Sequence, residues 1–153
     1  MNVIRSLRDR ITGVKMSKAI SIDKIIEATL DGIDESMDIY QKWSGGEWLW
    51  NAPEYLITVK IAENIANLDG NKYITLEDNV DYILDVSNAK GKGQVSDLTR
   101  KNGRSDIVLW WAGGRPRAII EVKNTVFRLD KIAKDIDRIQ EILKRKKIDS
   151  SLD

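Results

Sequence analysis

Two nearly unbroken apolar segments, 107–111 and 118–120, are separated by Gly113-Gly114-Arg115-Pro116, and together they limit what this chain can fold into. Runs this short, rich in β-branched and aromatic residues and bounded by glycine and proline, read as strands joined by a tight turn. Strands apolar on both sides belong to a sheet covered on both faces, so helices are expected above and below it. Charged groups mark the ends of these strands. Asp106 opens the first, and Glu121 and Lys123 close the second, which is expected to run from Arg117 to Lys123. Charges beside continuous apolar sequence require partners, or chemistry that uses them.

The remaining segments supply the helices. Ser21 caps a run in which Ile22, Ile25, Ile26, Leu30, Ile33, Met37 and Tyr40 recur at helical spacing, ended by Ser44-Gly45-Gly46. The other face of that helix, with Asp23, Glu27, Asp31, Asp34, Glu35 and Asp38, is acidic and is expected to point away from any nucleic acid. Asn51-Ala52-Pro53-Glu54 reads as an N-cap, an early proline and a capping-box acid. The helix it opens runs to about Leu68, with Tyr55, Leu56, Val59, Ala62, Ile65 and Ala66 as its buried stripe. Trp48 and Trp50 are expected to pack in the core or a helix seam, with base stacking at a cleft rim as the alternative.

A short strand at 72–74 precedes Thr75-Leu76-Glu77-Asp78, which resembles a capping box opening a third helix to about Ser87. Residues 95–101 are expected to form a strand that turns at Asn102-Gly103 into the Asp106 strand. After Asn124 and Thr125 a long helix carries Val126, Leu129, Ile132, Ala133, Ile136, Ile139, Ile142 and Leu143 inward. The 153 residues suit one domain, with a helical N-terminal part, 1–70, packed on a core spanning 71–147.

The chain contains neither histidine nor cysteine. Thiolate nucleophiles, disulfides, histidine bases and most transition-metal sites are thereby excluded, leaving carboxylates, lysine, hydroxyls and hard cations. No apolar run is long enough to span a bilayer, and the basic N-terminus, with Arg5, Arg8 and Arg10, lacks the apolar core of a signal peptide, so a cytoplasmic location without membrane association is expected. A net charge of +1 means that any anionic partner must meet a local basic patch. Lys90, Lys92, Arg100, Lys101, Arg104, Arg115 and Arg117, in turns and at strand ends, are the candidate phosphate contacts. If adjacent strands bring Asp106 beside Glu121, two carboxylates converge near the Lys123 ammonium. That donor set suits Mg²⁺, with Mn²⁺ as an alternative.

Helix, strand, Asp-bearing strand, Glu-x-Lys strand and helix, over residues 75–147, resemble the PD-(D/E)xK nuclease superfamily. The resemblance implies a restriction-endonuclease-like α/β core, an α-β-β-β-α order around a central mixed sheet. It implies a Mg²⁺-dependent phosphodiesterase in which Asp106 and Glu121 bind the metal with help from the Val122 backbone carbonyl. Lys123 then positions the attacking water. The family's additional helix acid corresponds to Glu77, with Glu54 as the alternative, and Gln140 on the last helix is a weaker candidate. Ser105 stands where the family name expects proline. The usual fourth strand lacks chain after the last helix. Either the chain is cut short, or residues 148–153 and a partner complete the sheet. DNA is favoured over RNA as substrate. The alternative function is a catalytically inactive nuclease-like module for nucleic-acid binding or protein assembly. A homodimer, or a partner protein completing the sheet or docking on the N-terminal helices, is the expected protein partner.

Overall fold

The computed structural model describes residues 19–87, 103–126 and 128–144. Helix α1 (Ile22–Ser44) starts at Ser21, whose side chain accepts the Lys24 N–H, and stops where Gly45 turns left-handed at φ 76°. A single 3-10 turn, Leu49–Asn51, leads into α2 (Glu54–Ala66). Strand β1 (Lys72–Asn79), helix α3 (Val80–Val86), strands β2 (Arg104–Trp111) and β3 (Pro116–Ile120), and helix α4 (Leu129–Lys144) follow. The three strands form an antiparallel sheet in the order β1-β2-β3.

The sheet is covered on both faces, as its apolar strands require. Ile107 and Leu109 on one face, with Ile74, Leu76, Ala118 and Ile120, pack under the α1–α2 hairpin through Ile25, Ala28, Ile57, Ile61 and Ile65. On the opposite face Val108, Trp110 and Ile119 meet α3 through Val80, Ile83 and Leu84. The result is an α/β architecture whose described strands are all antiparallel. The mixed sheet expected from the sequence would need a parallel strand beyond α4, and none lies among the described residues.

Several local expectations are corrected by the fold. Thr75 and Asp78 have the spacing of a capping box, yet both lie in β1, and Asn79 is the cap of α3, accepting N–H groups from Asp81 and Tyr82. Thr75 instead donates to Asp78 and accepts the indole N–H of buried Trp110 at 2.7 Å, so the same residue pair anchors a core tryptophan. Glu77 is therefore a strand residue. The expected strand at 95–101 lies outside the described residues, and β2 has β1 and β3 on its two sides.

The buried stripes of the first two helices are rotated from the expected ones. In α1 the contact row is Ile25, Ala28, Gly32 and Ser36, while Ile22, Ile26 and Leu30 are exposed. In α2 it is Ile57, Ile61 and Ile65, with Tyr55, Val59 and Ala66 outside. Small residues fix this choice. A Cβ on Gly32 would lie 2.6 Å from the Ile61 Cα, so the two helices approach backbone to backbone there. Helix α4 forms as expected, but Val126, Ala133 and Ile136 are exposed instead of turned inward. Among the described residues, no helix is long and apolar enough to cross a membrane.

Candidate functional site

The antiparallel register of β2 and β3 ends with Ile107 opposite Ile120, so Asp106 and Glu121 are the next residues outward on the two chains. The link runs through the residue after Glu121. Asp106 Oδ2 accepts the backbone N–H of Val122 at 2.7 Å. Strand β3 ends at Ile120, so Glu121, Val122 and Lys123 sit just past it in non-strand backbone, not within the strand as expected. Leaving the pleat frees Lys123 from strict alternation with Glu121, and its ammonium lies 3.5 Å from Glu54 Oε1 at the start of α2.

Glu54 and Asn124 together bind this segment to the mouth of the helical hairpin. The Glu54 Oε2 atom accepts the Asn124 N–H at 2.8 Å. Asn124 Nδ2 donates to the carbonyls of Leu49 and Ala52, at 3.1 and 2.8 Å, and its Oδ1 accepts the Thr125 N–H. The Thr125 hydroxyl donates to the Trp50 carbonyl at 2.7 Å, and Thr125 itself has φ 59°. A β-branched residue in left-handed backbone is strained, and surrounding contacts must hold it there. Sequence reasoning missed Asn124 and Thr125 as site residues, although their position directly after Glu-x-Lys was the available signal.

The two candidate helix acids separate clearly. Glu54, first residue of α2, reaches Lys123; its expected N-cap partner Asn51 is instead the last residue of the 3-10 turn and bonds Glu47. Glu77 is exposed and has φ 57° in β1, at the level of Asp106, between the register pairs Leu76–Ile107 and Asp78–Ser105. Thus Glu77, Asp106 and Glu121 lie on one row across the sheet, while no three acidic side chains among the described residues gather closely enough to hold a metal ion. Ser105 is fully buried. Gln140 is exposed on α4.

A cavity of about 310 Å³ opens between the helical hairpin and the end of β3, walled by Ile33, Leu49, Ile57 and Ile61 and floored by residues 120–124. Its walls are apolar, and its polar edge is the Glu121–Asn124 segment.

The basic candidates are dispersed. Arg104 is exposed two residues before Asp106, at the same end of the sheet. Arg115 is exposed in the β2–β3 turn at the opposite end. Arg117 is buried, its guanidinium 5.5 Å from the centre of the Trp111 ring, and desolvation pushes its pKa down from the usual arginine value. It sits at the β-bulge where Leu109 pairs with Ala118 but Trp110 pairs with Pro116, so its place is within the fold and not on a phosphate-facing surface. Lys90, Lys92, Arg100 and Lys101 lie outside the described residues.

Trp48 and Trp50 are not core residues. Each is 52% exposed, and their rings stack on one another, 5.1 Å between centroids and 4° from parallel. No family model matches this chain, and no curated protein or solved structure matches it.

Proposed function

We propose that this protein is a divalent-metal-dependent nuclease that hydrolyses phosphodiester bonds, with DNA as the favoured substrate and a restriction-endonuclease-like core as its scaffold. The observation that carries it is the convergence of Asp106, the Glu121–Lys123 segment and Glu54 at one end of the sheet, through the Asp106–Val122 and Glu54–Asn124 hydrogen bonds. Three elements contribute to that corner, one of them about seventy positions away in sequence, and a surface Glu–Lys pair on an ordinary hairpin would not need the third.

The donors present fit a hard cation. Asp106 and Glu121 supply carboxylate oxygens, Val122 supplies a backbone carbonyl, and the site has no nitrogen or sulfur ligand. Mg²⁺ needs only one or two carboxylates, taking waters and substrate phosphate for the rest, so a set of two acids is sufficient. When bound, such an ion neutralises charge on the phosphate and acidifies water.

The chain's own groups do the positioning. Asp106 commits one oxygen to the Val122 N–H, which fixes the carboxylate against the Glu-x-Lys segment. Lys123 supplies an ammonium whose three donors orient a water or stabilise charge growing on the phosphoryl oxygens. Glu54 holds that ammonium near the end of β3 and secures the next peptide group, acting as a positioning residue. The cavity beside this segment is walled mainly by aliphatic side chains of the helical hairpin.

Cleavage of labelled single-stranded, duplex and branched DNA and of RNA, with and without EDTA, tests this function. Removal of metal should abolish cleavage, and Asp106→Ala, Glu121→Ala and Lys123→Ala should each reduce it about a hundredfold or more. Glu54→Gln should lower the rate less than Lys123→Ala does. Full activity in all three alanine variants would move the chemistry elsewhere. Metal-independent binding without any cleavage would identify the inactive nuclease-like module instead.

A further inference from the structure

We propose that the stacked indoles of Trp48 and Trp50 form a platform for an unpaired nucleobase, so that the protein acts on single-stranded nucleic acid or on unpaired ends; this rests on the nuclease function proposed above. Two half-exposed tryptophans are an expensive surface to leave in water, and among the described residues they stack on each other without joining a core cluster. Their rings are mutually parallel within 4°, which presents flat aromatic surface of the kind on which bases stack regardless of sequence. Inside a duplex the base faces are already covered by their neighbours, so away from its two ends only unpaired bases offer a free face to an indole.

The platform is rigid, and its support is shared with the candidate site. Tyr40 donates its hydroxyl to the Asn51 carbonyl at 3.1 Å, and Asn51 donates to Glu47 at 2.6 Å, which braces the turn from the α1 side. The turn's other carbonyls, those of Leu49, Trp50 and Ala52, accept from Asn124 and Thr125, the two residues that follow Lys123. The backbone bearing the indoles is thus bonded to the side chains of the two residues that follow the lysine. A strand held by its base on the tryptophans places its phosphates beside the polar edge of the site. The left-handed Thr125 is the strained residue that joins the two halves.

Fluorescence anisotropy of labelled oligothymidylate and of a blunt duplex of equal length, measured in EDTA, tests the platform without any contribution from catalysis. Wild type should bind the single strand about tenfold or more tightly than the duplex. Trp50→Leu should weaken single-strand binding about 5- to 150-fold, the range given by loss of one stacked base. Trp48→Leu should weaken it in the same direction, Trp50→Tyr should restore most of the affinity, and Trp43→Leu, at another exposed tryptophan, should leave it unchanged. Because Trp50→Tyr preserves ring and turn, its comparison with Trp48→Leu stays decisive even if Trp50→Leu folds poorly. Equal affinity for Trp50→Leu, Trp48→Leu and wild type, a preference for duplex, or no binding of oligothymidylate would overturn the platform. The same proteins assayed with Mg²⁺ separate the two proposals. Tryptophan-dependent binding without cleavage keeps the platform and defeats the nuclease, whereas cleavage with unchanged oligonucleotide affinity in the tryptophan variants does the reverse.

Discussion

Asn124 uses its side-chain amide to hold the end of β3 against the helical hairpin, donating to two carbonyls while its side-chain oxygen accepts the N–H of Thr125. Replacing the amide by a carboxylate keeps the size but sets a negative oxygen against the carbonyls of Leu49 and Ala52. Asn124→Asp should therefore lower stability by about 1–3 kcal/mol at neutral pH, the cost of leaving such groups without a donor. Urea denaturation of the two proteins measures it. A midpoint equal to that of wild type would show that the tether does not hold the segment. Apart from its place directly after Glu-x-Lys, this asparagine resembles a common turn residue in the sequence, because its partners lie more than seventy positions away. By contrast Asp106, Glu121 and Lys123 stood out in the sequence, since charges adjoining apolar strands are unusual wherever they fall.

At the scale of elements, the α1–α2 contact depends on Gly32. Alanine there would gain helix propensity of roughly 1 kcal/mol. Its Cβ, however, would meet the Ile61 Cα at 2.6 Å and the Lys60 carbonyl at 2.9 Å, both backbone atoms that cannot swing aside. Gly32→Ala should destabilise the protein by about 1–3 kcal/mol net, read as a lower denaturant midpoint. The hairpin is also joined by Lys60, which lies 2.9 Å from Glu35 and pairs with Glu63 as well. The Lys60 hydrogen bond, aided by Asn64, holds the Glu35 carboxyl below its usual value of 4.5. Below that value the unfolded chain binds the proton more readily than the folded one does. The Glu35 contribution is thus fully present above pH 4.5 and is lost as pH falls through the lower folded value. The melting-temperature gap between wild type and Glu35→Gln should narrow from pH 6 toward pH 3. A gap independent of pH would show that the charge is not what matters.

The existence of β1, β2 and β3, the cover on both faces of the sheet, the first helix with its two caps and the turn at Gly113-Gly114 are all legible from periodicity and punctuation. What misled was local pattern that served another purpose. Thr75 and Asp78 imitate a capping box because the same oxygen spacing supports a relay to Trp110 across strands. The helix stripes were assigned to the largest apolar residues, whereas close helix packing selected Ala28, Gly32 and Ser36. The sequence offers Glu77 first and Glu54 as the alternative because it places both near helix starts, and only the tertiary fold brings Lys123 to one of them, Glu54.

For the molecule as a whole, charge would decide how the proposed nucleic-acid substrate approaches. The acidic face of α1 is exposed along its length at Asp23, Glu27, Asp31, Asp34, Glu35 and Asp38, and repels a phosphate backbone. The described phosphate candidates are few, since Arg117 is buried and Arg104 and Arg115 remain at opposite ends of the sheet. Binding of a single strand loses affinity with a slope of about −0.7 per neutralised phosphate. If Arg104 and Arg115 act alone, affinity for oligothymidylate should fall about sevenfold between about 50 and 200 mM salt. If Lys90, Lys92, Arg100 and Lys101 join them, six contacts give a fall of about three-hundredfold over the same interval. Measuring the slope in wild type and in Arg104→Ala separates these cases and tests the contact itself, because loss of one phosphate contact should make the slope shallower by about 0.7. Arg117→Met should leave the slope unchanged, since a guanidinium stacked on Trp111 inside the fold does not displace counterions. A slope shallowed as much by Arg117→Met as by Arg104→Ala would place the nucleic acid against the β-bulge, at the far end of the sheet from Asp106.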